Sequence, residues 1–161
     1  MKDKFLILIY GCLLFAACQS EQVASFDTVN SFFQKEKNDL EAVANYLEEQ
    51  SGQQYDFAFI DISEGAFRLT LGAEGEQESK RLENSSIDAA LQDLLKNKKC
   101  YSIFKEGEVV YFMLKGNKKH GVESASGLVK NLSGLEPEIE LSWVSEYQLK
   151  SLNENWYYFQ Y

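Results

Sequence analysis

Residues 108–115 read EVVYFMLK, and both alternating sets within them are apolar: Val110, Phe112 and Leu114 on one side, Val109, Tyr111 and Met113 on the other. Side chains along a strand point alternately to opposite faces, so a strand with no polar face must be covered twice. This stretch is expected at the centre of a sheet. Its partner precedes it: Cys100 to Lys105 joins it through Glu106-Gly107 as a hairpin.

Tyr55 to Ile62 (YDFAFIDI) and Ala66 to Leu71 (AFRLTL) flank the short turn Ser63-Glu64-Gly65 and read as another hairpin. In the second of these Phe67, Leu69 and Leu71 alternate with Ala66, Arg68 and Thr70, so this part of the sheet has a wet side. Towards the C-terminus, Gly116 to Gly127 begins as a loop and Leu128 to Leu132 makes another strand. Pro137 marks a turn or an edge, and Trp143 to Leu152 with Trp156 to Tyr161 form a last hairpin around Asn153-Glu154-Asn155. Gly72 to Ser85 (GAEGEQESKRLENS) has little to bury and is expected to be a mobile acidic loop. Glu74, Glu76 and Glu78 lie close together there, but without the spaced ligands and glycine of an EF-hand.

Two helices complete the pattern. Val29, Phe33, Leu40, Val43 and Leu47 recur at the spacing of one helical face, with Ser25 or Asp27 as cap and Gly52 as stop. Asn38 followed by Glu41 could act as a fresh cap and split this helix into two nearly collinear pieces. The second helix runs from Ile87 to about Asn97, capped by Ser85 or Ser86, with Ile87, Leu91, Leu94 and Leu95 on its buried side. The expected fold is a single α+β domain over residues 26–161: an antiparallel sheet of about five to seven strands with two helices packed mainly on one face.

Ahead of this domain, Lys2 and Lys4 precede an apolar run from Phe5 to Ala17 that ends in Phe15-Ala16-Ala17-Cys18. Thirteen residues are too few to span a bilayer, which takes about 20, and suit a signal-peptide core of about 7 to 15. Small residues before a cysteine make the segment resemble the signals of bacterial lipoproteins, with Phe15 where that class usually has an aliphatic residue. The resemblance implies cleavage before Cys18 and acyl chains on its sulfur and new amino group. Residues 1–17 are then the signal peptide and residues 18–25 a short lipid-anchored tether. It also implies the cell envelope, and Gln19 in place of aspartate favours the outer membrane if the source is a Gram-negative bacterium. The final sixty or so residues are similar to small uncharacterised bacterial proteins, a likeness that implies no activity.

Removing Lys2, Lys4 and Asp3 leaves 14 basic and 24 acidic residues, a net charge of −10. Nucleic acid is not expected as a partner, because its binders need a basic face to displace phosphate counterions. With Cys12 removed and Cys18 acylated, Cys100 has no intrachain disulfide partner and is expected to be a buried structural residue. His120, the only histidine, stands in the lysine-rich run Lys118-Lys119-His120, and one histidine with one free thiol cannot build a metal site of N and S donors. Ser124 and Ser126 lack the flanking glycines of a nucleophile elbow. No phosphate-binding loop or dinucleotide fingerprint is present, so no catalytic residue, metal or cofactor is expected.

What remains is binding. The last strand alternates Trp156 and Tyr158 with Tyr157, Phe159 and Tyr161, and an open face there would give a recognition surface of Trp156, Tyr157, Tyr158 and Tyr161 for a protein or glycan partner. The expected function is a non-catalytic interaction module, of inhibitor or immunity type, held to the membrane by acyl chains. A small envelope hydrolase working through carboxylates is the alternative.

Overall fold

The computed structural model describes residues 23–52, 54–73, 76–82, 86–97, 99–117, 124–134, 136–137, 139, 144 and 146–161. A single long helix, α1 (Phe26–Ser51), opens the fold without a break at Asn38. Ser25 is its N-cap, its side chain accepting from the Thr28 N–H at 3.4 Å. Gly52 ends it with a φ of 51°, a conformation that costs glycine nothing, and returns its N–H to the Glu48 carbonyl at 3.0 Å.

Eight antiparallel strands follow: β1 (Phe57–Ser63), β2 (Ala66–Ala73), β3 (Glu76–Arg81), β4 (Ser102–Glu106), β5 (Val109–Asn117), β6 (Ser124–Asn131), β7 (Gln148–Asn153) and β8 (Trp156–Gln160). Their order in the sheet is β3-β2-β1-β4-β5-β6-β8-β7. β5 lies in the interior, as its doubly apolar sequence requires. The sheet exceeds the expected five to seven strands largely because of β3, which lies inside the stretch expected to be a mobile loop. β3 is an edge strand held by its ladder to β2, from Arg68↔Arg81 to Ala73↔Glu76, so its side chains can stay in water. Residues 74–75 and 83–85 of that stretch lie outside the described residues.

Between β3 and β4, α2 (Asp88–Leu91) runs into a π-helical turn, Gln92–Lys96. Its cap is not serine: Ile87 takes the N-cap position with no side-chain hydrogen bond. The apolar side was legible, with Ile87, Leu91, Leu94 and Leu95 all buried.

α1 and α2 cover the same face of the sheet. Val29, Phe33, Leu40, Val43 and Leu47 of α1 share one core with Ile60, Leu69, Ile103, Phe112, Leu128 and Trp156. The other face carries a second core of Phe104, Val109, Tyr111, Met113, Val129 and Phe159, roofed by Ile139 and Val144 from the segment between β6 and β7. Rings stack across the strands there, Phe104 against Tyr111 at 4.6 Å and Tyr111 edge-on to Phe159 at 6.0 Å. β5 and β6 approach so closely that a Cβ on Gly127 would sit 2.2 Å from the Phe112 carbonyl oxygen.

Candidate binding surface

The two faces of β8 have different fates. Trp156 is buried between Phe33 and Phe112, at 5.3 and 5.6 Å, and its indole N–H donates to Glu41 Oε1 at 2.7 Å. Tyr158, also buried under α1, donates its hydroxyl to the Ala24 carbonyl at 3.1 Å. Trp156 and Tyr158 therefore have no ring face to offer a partner, because the helix takes the side of the strand on which they stand. Tyr157 and Tyr161 point to the second face and remain half-buried, on either side of a fully buried Phe159.

At the end of the sheet, just ahead of β7, Tyr147 stands exposed, 6.5 Å from the Phe159 ring. With Glu146, Gln148, Gln160 and Tyr161 it lines an open hollow of about 640 Å³. Two tyrosines, two amides and one carboxylate offer ring faces together with donors and acceptors, which suits a polar ligand with an apolar side. The sequence predicts Tyr147 inside a strand from Trp143 to Leu152. Among the described residues regular pairing begins at Gln148, and Tyr147 stands just outside it at the sheet's end. Elsewhere, a second hollow of about 450 Å³ lies between the β1–β2 turn and α2, with Ile62, Phe67 and Leu82 below and Arg81, Asp88 and Lys96 at its sides.

Two lysines hold α1 to the rest of the fold, Lys130 through Glu41 and Lys99 through Glu36. Lys130 of β6 donates to Glu41 at 2.7 Å and Asn45 at 2.8 Å and sits 5.8 Å from the Trp156 ring centre. Burial acts to raise the Glu41 pKa, but the bonds from Lys130 and Trp156 outweigh it and leave it lowered. Lys105, on the same face, has its pKa lowered by burial, opposed in part by Glu108, Asp56 and Glu48. Glu36, Asp39 and Asp93 gather closely enough to share a cation, yet the Lys99 ammonium already bridges Glu36, at 2.9 Å, and Asp93. Its bond holds the Asp93 carboxyl down at about 2.

Cys100 is 1% exposed, and burial pushes its thiol up to about 12, far from a nucleophile's range. Ser126 is buried and accepts the Ala24 N–H at 2.8 Å, while Ser124 opens β6. Cys18 and His120 lie outside the described residues. No described helix is long and apolar enough to cross a membrane. No protein-family model, curated protein or solved structure matches the chain.

Proposed function

We propose that this chain is a lipid-anchored cell-envelope protein that binds a protein or glycan partner without transforming it. The supporting observation is the hollow at Tyr147 and Tyr161, where aromatic rings meet amide and carboxylate groups at an accessible edge. Tyrosine pairs a large contact area with a hydrogen-bonding tip and a low ordering cost, which favours it in recognition surfaces. The carboxylates that cluster elsewhere favour the same reading, since Glu36 and Asp93 are tied to Lys99 and Glu41 to Lys130. A carboxylate-based hydrolase would instead need an acid and a base facing its substrate.

Two measurements test this. Full-length protein and a Cys18→Ser variant are expressed with labelled palmitate, and only the first should take up label and sediment with membranes. Crosslinking in the native envelope should give a discrete adduct that Tyr147→Ala with Tyr161→Ala abolishes and Glu64→Ala leaves intact. An adduct that survives loss of both tyrosines would remove the hollow from consideration.

A further inference from the structure

Three large apolar or aromatic side chains stand well out into solvent among the described residues: Ile62, Tyr101 and Tyr147, at 47%, 53% and 41% exposed. They belong to three different parts of the chain, but the strand register places them at one end of the sheet. Ile62 pairs with Phe67 beside the β1–β2 turn. Tyr101 lies against Gly116 just before β4, and Tyr147 precedes Gln148, which pairs with Gln160. Gly116↔Ala125 and Ser126↔Gln160 join these positions into one edge.

The start of the described chain is fixed at the same end. Ala24 is buried, its N–H on Ser126 and its carbonyl on Tyr158, and Lys150 sits 3.6 Å above the ring of Phe26. Six Cα steps separate Cys18 from Ala24, a reach of at most about 22 Å when fully extended.

Charge divides the molecule along the same axis. Among the described residues at the end that holds Ala24, Arg81, Lys96, Lys115 and Lys150 are matched in number by Asp27, Glu64, Asp88 and Glu146. The opposite end carries exposed Asp56, Glu76, Glu108 and Glu154. An acidic end is repelled by anionic headgroups, whereas a balanced one can approach them.

We infer that the Ile62–Tyr101–Tyr147 end of the sheet rests on the lipid surface, seating these side chains among the headgroups and turning the acidic end away. The inference builds on acylation at Cys18. The acyl chains supply the affinity and the exposed side chains supply the orientation, tyrosine being suited to a site with one apolar and one wet side. The hollow at Tyr147 and Tyr161 then opens at headgroup level, so its ligand is met at the membrane surface.

The test uses full-length lipidated protein in phosphatidylethanolamine–phosphatidylglycerol vesicles doped with a lipid carrying a nitroxide on its headgroup. A fluorophore is attached through Ile62→Cys or Tyr147→Cys, and in separate samples through Glu108→Cys or Glu154→Cys. Cys100 is too buried to compete for the label. β5 alone spans about 27 Å from Val109 to Asn117, so the two ends differ by more than the reach of contact quenching. Labels at 62 and 147 should be quenched at least about threefold more than those at 108 and 154. Equal or reversed quenching overturns the orientation. Protein that fails to float with the vesicles overturns acylation instead; the same variants, held through a polyhistidine placed before Cys18→Ser on nickel-chelating lipid, then decide the orientation by the same comparison.

Discussion

Replacing Lys130 by methionine keeps most of the length of the side chain and deletes its charge, which isolates the polar anchor beneath α1. The lysine side chain is 11% exposed and its ammonium contacts Glu41 and Asn45, while Glu41 is 33% exposed and keeps its bond from Trp156. Breaking a fully buried pair from one side costs about 3–5 kcal/mol, and an exposed pair contributes about 0–1 kcal/mol. The intermediate exposure of Glu41 places Lys130→Met at about 2 kcal/mol. Glu41→Gln should cost about 2 kcal/mol as well, because it strands a lysine that is better buried than its partner. Once either charge has gone, removing the other relieves the remaining one. The double variant should therefore fall short of the sum by about 1–1.5 kcal/mol. Urea unfolding of the four proteins, followed by tryptophan fluorescence at unchanged slope, measures this coupling. A value below about 0.5 kcal/mol would show that the pair is only a surface contact and that α1 is held by its apolar stripe alone.

Gly127→Ala should cost about 3 kcal/mol or prevent folding, because backbone stands where its methyl must go, whereas Gly116→Ala meets only the hydroxyl end of exposed Tyr101 and should cost less than about 1 kcal/mol by thermal melting. Cys100 should resist thiol reagents at pH 8 in the native state and react in urea, and modification without denaturant would contradict its burial. The pH profile follows from Glu41 and Asp93, whose folded pKa values lie below their ordinary 4.5 and 3.8. A carboxylate held low stabilises fully above its ordinary pKa and loses that contribution as pH falls through the folded value, so stability should decline from about pH 5 towards pH 2. Lys130→Met should flatten the upper part of this decline, as followed by unfolding midpoints in urea.

Legibility followed the strength of the side-chain constraint. The stripe from Val29 to Leu47 and the two-sided apolar pattern at Val109 to Leu114 announce α1 and β5 because each must satisfy a packed surface. β3 was hidden because an edge strand can pair through its backbone alone and leave glutamate, serine and lysine in water. The start of β6 was hidden for the opposite reason: Ser124 to Gly127 is made of small residues that imitate a loop, yet close approach to Phe112 and the contact with Ala24 demand that smallness. Alternation in β8 gave the correct pairing of Trp156 with Tyr158 and of Tyr157 with Phe159 and Tyr161. It could not say what lies over each side, since Ile139 and Val144, which roof the second face, belong to neither a helix nor a strand. Tyr147 escaped because it belongs to a strand's approach, where no alternation applies.

The contacts at Ala24 impose an order on biosynthesis. A chain synthesised from its N-terminus offers residue 24 long before Ser126 and Tyr158 exist to receive it, separations of 102 and 134 residues. The first segment to emerge is thus among the last to find its seat, and it waits for a strand that ends the described chain. Loss of Tyr158 to Tyr161 should leave Ala24 unseated, so faster proteolysis beside Ala24 would report that β8 has not docked.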